Sequence, residues 1–171
     1  MEPVLEWLLG EENAQFVVLG TGMAEYHEMF EQAQARFPDR MRAYLKFDDV
    51  LARRIYAGAD MFLMPSRVEP CGLGQMIAMR YGSVPVVRET GGLADTVLNY
   101  TTKQRRGTGF TFKKYTATAC RRALRRALAT YQKKDVWRRL QRRAMEADFS
   151  WTSSAQEYVK LYRTAIQIHG M

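Results

Sequence analysis

Residues 65–75, Pro-Ser-Arg-Val-Glu-Pro-Cys-Gly-Leu-Gly-Gln, place a carboxylate, a thiol, two prolines and two glycines between an apolar run and an amphipathic one. Pro65 and Pro70 stiffen such a loop, while Gly72 and Gly74 leave backbone amides uncovered where a helix begins. A helix start carries unpaired N–H groups and a partial positive charge, which suit a phosphate or sugar hydroxyls. Glu69, just ahead of that start, is placed to accept hydrogen bonds from a sugar. A glycine-capped turn with a solvated glutamate accounts for the same spacing, and spacing alone leaves the two readings even. One apolar run later, Arg-Glu-Thr-Gly-Gly-Leu-Ala-Asp-Thr-Val (88–97) repeats the device. Arg88 and Glu89 end the run, Thr90, Gly91 and Gly92 turn, and Leu93 opens a helix with Asp95 in its first turn. Two neighbouring loops of this kind suit one anion site better than either does alone. Gly20 and Gly22, in Leu-Gly-Thr-Gly-Met, resemble half of a phosphate-cradling loop, but a tight turn explains them equally well.

These loops need strands before them and helices after them. Short apolar runs alternate with helical patterns throughout, the rhythm of a doubly wound α/β domain with a parallel sheet. The expected strands are 16–19, 42–45, 61–64, 84–87 and 110–112. The expected helices between them are 24–37, 49–57, 75–81 and 93–98. Three further helices should begin near Thr116, Asp135 and Thr152, whose side chains are good caps. No repeat, linker or low-complexity tract divides the 171 residues, so one domain is expected. The chain opens inside a helical pattern with Val4, Leu5 and Leu8 on its apolar face, and no strand precedes it. In the strand order 3-2-1-4-5-6 the first strand is central, so its absence would leave two inner edges unpaired. A truncated domain is the expectation.

Composition narrows the class. With 47% apolar residues the chain can build a core, and no apolar run is long enough to span a membrane. Cys71 and Cys120 have no metal-ligand spacing and suit a reducing compartment, so a soluble, cytoplasmic protein without a metal is expected. The net charge of +8 is concentrated between Lys103 and Arg143, which hold fifteen basic residues and one acid. Arginine pairs recur four residues apart at 121–126 and 138–143, opposite the apolar positions Cys120, Leu124, Leu128 and Tyr131 and, in the second stretch, Trp137, Leu140 and Ala144. Two amphipathic helices with solvated arginine faces are the main reading of this pattern, with anion or nucleic-acid binding as the alternative. No nucleic-acid-binding motif accompanies it, and nucleic acid is not an expected partner.

Residues 58–97, together with Phe-Val-Val-Leu-Gly-Thr-Gly, Gly-Thr-Gly-Phe-Thr-Phe-Lys-Lys-Tyr and the closing Asp-Phe-Ser-Trp-Thr-Ser-Ser-Ala-Gln-Glu-Tyr, closely resemble the C-terminal domain of bacterial glycogen synthases and plant starch synthases. The resemblance implies a GT-B glycosyltransferase whose Rossmann-like C-terminal domain binds ADP-glucose. Its reaction adds glucose, with retention, to the non-reducing end of an α-1,4-glucan. ADP-glucose then enters as the donor substrate, with no separate cofactor. By motif, Glu69 matches the glutamate near the donor glucose, and Cys71, Gly72 and Leu73 match the loop whose amides meet sugar and phosphate. Thr90, Gly91 and Gly92 match the neighbouring loop, and Phe47 matches the aromatic beside the adenine. Gly74 replaces a threonine found in some members, Lys46 stands where a glycine is expected, and Ile77 replaces the second glutamate of related enzymes. The family's diphosphate-clamping arginine and lysine, and its Lys-Thr-Gly-Gly motif, belong to an upstream segment and an N-terminal domain not in this sequence. The chain alone is therefore expected to be inactive. The alternatives are a non-catalytic nucleotide-sugar or glucan-binding module that pairs with a separate N-terminal half and, more distantly, a basic nucleic-acid-binding protein.

Overall fold

A computed structural model describes residues 1–103 and 106–169; Arg105 of the basic run lies outside the described residues. The elements follow as α1 (Glu2–Glu11), β1 (Phe16–Leu19), α2 (Ala24–Arg36), β2 (Met41–Tyr44), α3 (Asp49–Gly58), β3 (Met61–Met64), α4 (Gly74–Tyr81), β4 (Val84–Arg88), α5 (Gly92–Thr96), β5 (Phe110–Phe112), α6 (Ala117–Tyr131), α7 (Lys134–Met145) and α8 (Trp151–His169). The strand-helix alternation is the expected one, and every strand pairing is parallel. Small shifts have local causes. The second strand begins at Met41 rather than Arg42, since the Met41 side chain is buried with Leu5 and Leu9. α5 stops at Thr96 rather than 98, because Leu98 leaves the helix to exchange hydrogen bonds with Thr108. Asp48 and Thr116 cap α3 and α6 through their side chains, at 2.9 and 3.2 Å. Asp135 and Thr152 do not cap as expected. Asp135 lies inside the first turn of α7 and pairs with Arg138, and the Ser150 hydroxyl accepts from Ser153 N ahead of α8.

The strands form two sheets, β1-β2 and β3-β4-β5. Numbered as strands 2 to 6 of the order 3-2-1-4-5-6, they read 3-2 and 4-5-6, so the break falls where a first strand would lie. α1 bridges the two parts. It buries Leu5 and Leu9 with Met41 on the side of the first sheet, and Val4, Trp7 and Leu8 in the main core beside α6. Trp7 and Leu9 thus join the expected Val4, Leu5 and Leu8 as buried positions of a helix apolar on two sides.

β4 is the spine of the larger sheet, with Val84 through Val87 buried. Alternation sends Val84 and Val86 to the face covered by α1, α6 and α7, and Val87 to the face covered by α4 and α5. Helices on both faces are what makes the sheet doubly wound. Pro85 is tolerated at this central position because β5 pairing begins one residue later, at Val86 opposite Phe110.

The arginine faces are only partly solvated, which corrects the expectation for residues 121–126. The guanidinium groups of Arg121 and Arg125 lie 5.3 and 5.2 Å from the Trp7 ring. Arg126 is half-buried over Phe110 and donates to Thr111 O at 2.7 Å and Asn99 Oδ1 at 3.2 Å. Of the four, Arg122 alone is an exposed cation without a partner among the described residues. α8 buries no residue, and no helix among the described residues is long and apolar enough to cross a membrane.

Candidate functional site

The loops after β3 and β4 leave the carboxyl ends of parallel strands, where open α/β sheets bind their ligands. They are held together mainly by backbone. Gly91 adopts φ 45°, and a Cβ built there would lie 1.8 Å from the Glu69 carbonyl oxygen. A Cβ on Gly92 would lie 2.2 Å from the carbonyl oxygen of Cys71, and Gly92 N donates to Pro70 O at 3.2 Å. Only residues without side chains allow the second loop to lie this close under the first.

Two side chains complete the joint. Arg88, at the end of β4, donates through Nη1 to Arg67 O at 2.7 Å and through Nε to Lys113 O at 3.0 Å, tying residues 65–67 to the end of β5. Gln75, fully buried in the first turn of α4, donates through Nε2 to Gly72 O at 2.7 Å and to Thr96 Oγ1 at 3.0 Å. The Thr96 hydroxyl in turn donates to Gly92 O at 2.6 Å, closing a ring that links both loops. Gln75 Oε1 is buried without a partner and would meet a Cβ on Gly72 at 2.6 Å; Gly72 has φ 73°. No motif in the sequence marks Gln75 as part of this frame. Its signal was available: a polar residue on the same helical face as the buried Ala78 and Met79.

The candidate groups sit on this frame. Glu69 is half-buried, and the Ser66 hydroxyl is within 3.5 Å of Oε2, the limit of a hydrogen bond. Leu73 precedes α4 as its N-cap without a side-chain cap, so the first amides of the helix have no side-chain acceptor. Cys71 is an exposed free thiol and Leu73 is exposed, while Gly74 lies against the Tyr56–Phe62 pair, where a Cβ would come within 3.1 Å of the Phe62 ring. Thr90 is half-buried, and its carbonyl accepts from Leu93 N at 3.2 Å. Glu89 is occupied by Thr111 and Lys113 and serves the sheet.

Gly20, Gly22 and Phe47 lie at the same carboxyl edge, but on the β1-β2 sheet. Gly20 N donates to Tyr44 O at 3.1 Å and Gly22 N to His27 Nε2 at 3.1 Å. Neither glycine has a positive φ, and nothing lies within 4 Å of a Cβ at either. The chain conformation therefore does not require glycine at these two positions. Phe47 is 88% exposed just before α3, beside the Lys46–Asp48 ion pair, whose hydrogen bond from Lys46 lowers the Asp48 carboxyl below its ordinary value. The structure thus brings 69–74 and 90–92 into one interlocked unit; no hydrogen bond among the described residues joins Gly20, Gly22 or Phe47 to it.

The Rossmann-like sheet and its paired glycine loops are those of an α/β glycosyltransferase domain, and the chain belongs to the glycosyl transferases group 1 family, whose sequence model matches residues 7–144. Within that family it is similar to the glycogen synthase of Thermotoga petrophila, 56% identical over 155 residues, covering 90% of this chain and 32% of that protein. It is also similar to the glycogen synthase of Syntrophotalea carbinolica, 52% identical over 169 residues, covering 99% of this chain and 35% of that protein. Among solved structures, the catalytic domain of starch synthase IV from Arabidopsis thaliana, bound to ADP and acarbose, superposes with a TM-score of 0.76 at 41% identity, covering 90% of this chain and 32% of that one. The fold is that of the C-terminal domain of a GT-B glycosyltransferase, and the chain spans about a third of the length of these relatives.

Proposed function

We propose that this chain is the donor-binding part of a glycogen synthase, which transfers glucose from ADP-glucose, with retention, to the non-reducing end of an α-1,4-glucan. The carrying observation is the interlock of Gly91 and Gly92 with the backbone of Glu69 and Cys71, which fixes a carboxylate and the open start of α4 side by side. In the reaction the bond from the anomeric carbon to the β-phosphate oxygen breaks, and ADP leaves with increased negative charge. Fixed amides at the start of α4 stabilise that charge without reorganising. Glu69 holds glucose hydroxyls, the amides of Cys71 to Gly74 meet sugar and phosphate, and residues 90–92 support them from below. Phe47 offers its exposed ring to the adenine, with Gly20 and Gly22 lining the approach. ADP-glucose is a substrate, and neither a metal nor a further cofactor takes part. The glucan contacts are assigned to an N-terminal domain, and the remaining diphosphate contacts to the arginine and lysine of an upstream segment, both as in the longer relatives. A cytoplasmic location fits the two free thiols, one of them exposed.

Domain complementation tests this. The chain fused behind the remaining portion of the Thermotoga petrophila enzyme should transfer glucose from ADP-glucose to a glucan primer, whereas the chain alone should not. A folded fusion that binds ADP-glucose yet transfers nothing, or a chain that transfers alone, would overturn the assignment.

A further inference from the structure

At the opposite end of the sheet, where the chain enters β5 rather than where it leaves, the second half of α6, one side of α7 and residues 100–102 line a cleft of about 490 Å³. Its walls carry Arg126, Lys133, Arg139 and Arg143 and no carboxylate. The nearest acid on these helices, Asp135, does not line the cleft and pairs with Arg138. Two of the four cations are built in: Arg126 over Phe110, and Arg143, which donates to Gly107 O at 3.1 Å and lies 5.8 Å from the Tyr100 ring. The side chains of the other two, Lys133 and Arg139, have no hydrogen bond or ion pair among the described residues.

We propose that this cleft is a second ligand site, for a small phosphorylated anion, separate from the donor loops. The volume is that of a small-molecule pocket rather than of a track for a polymer backbone. Four cations around one concavity whose lining holds no carboxylate repel one another, with Glu89 offsetting only part of the charge of Arg126 from outside the lining, and a multivalent anion relieves that repulsion while accepting charge-assisted hydrogen bonds. Burial lowers the pKa of Arg126 from its ordinary value, a sign that its charge has lost water and would gain from an anion. The apolar wall of Ala129 and Val136 leaves room for the ligand's carbon skeleton. Donor loops and cleft sit at opposite ends of the same parallel strands, so occupancy of one leaves the other open. The inference does not rest on the identity of the donor.

The test is titration of the chain with inorganic pyrophosphate, followed by calorimetry and amide resonances, on wild type, on Lys133→Ala/Arg139→Ala and on the control Arg122→Ala/Arg138→Ala. Resonance changes should centre on 129–143, with affinity reduced by at least about tenfold in the first variant and by less than about twofold in the control. Equal losses in both variants would overturn the proposal in favour of a diffuse basic surface. So would changes confined to 69–92, or tighter binding of single-stranded RNA with the same losses in both variants. If ADP-glucose fails to move residues 69–92 while pyrophosphate still moves 129–143, the donor assignment fails and the second site stands.

Discussion

Gly91 and Gly20 illustrate how one residue type serves two purposes in the same domain. At Gly91 and Gly92 an added methyl group would collide with backbone atoms, so Gly91→Ala and Gly92→Ala should displace the 69–73 loop, lower stability by roughly 1–3 kcal/mol and abolish ADP-glucose binding. At Gly20 and Gly22 there is open space and no special φ, so alanine there should leave the melting temperature unchanged. Any loss of ADP-glucose affinity at these two positions would then report direct approach of ligand to backbone. Glu69→Ala should remove the advantage of ADP-glucose over ADP while leaving ADP affinity near that of wild type; an unaltered advantage would take Glu69 out of the sugar site. The two thiols should differ sharply. Burial pushes Cys120 up from 9.0 to about 11, while Cys71 is exposed, so alkylation near ~pH 8 should add one group, on Cys71. Because the raised pKa favours the neutral thiol in the folded state, Cys120 contributes stability that is intact below pH 9.0 and lost as pH rises toward 11. The pairing of the 69–74 and 90–92 loops was legible in the sequence because two successive strand-to-helix loops carry glycines, whereas Phe47 entered only through the family resemblance. Gln75 was not, since its importance comes from Thr96 and Gly92, distant in sequence and adjacent only once both loops are folded.

At the level of elements, α1 and α6 explain why the charge pattern misled. Arginine pairs four apart read as a solvated face, yet Arg121 and Arg125 both lie against Trp7, and Arg126 is committed to Thr111 in the middle of β5. Arginine carries a flat cation that packs on aromatic faces, so its apolar stem and ring contacts are invisible to a polar-versus-apolar count. Arg126→Ala should therefore lower the melting temperature clearly, while Arg122→Ala should stay within about 0.5 kcal/mol of wild type; equal effects would restore a purely solvated face. Trp7→Ala should cost about 3–5 kcal/mol, since α1 is the element shared by the cores of both sheets. Strand positions were legible to within a residue from short apolar runs, because strands of three to five residues leave little room for error. Caps at Asp135 and Thr152 were misplaced by a residue or two, since Ser150 and Lys133 compete for the same helix starts and local propensity does not choose between them.

For the whole molecule, the sheet breaks between β1 and β3, and α1 spans the break. That arrangement keeps the carboxyl ends of β3 and β4 in register with their loops while Phe47 and the 20–22 turn ride on the other sheet. The central claim is that the first of these groups forms a donor site for ADP-glucose, with the second completing its nucleotide end. The most direct measurement is a calorimetric titration of the chain with ADP-glucose, ADP and UDP-glucose, accompanied by amide resonances assigned along the sequence. The account predicts saturable binding in which ADP-glucose exceeds both ADP and UDP-glucose, with changes at 69–74 and 90–92 for the sugar and phosphates and at Phe47 for the base. No saturable binding of ADP-glucose by a folded chain, or changes that leave 69–74 and 90–92 untouched, would contradict it.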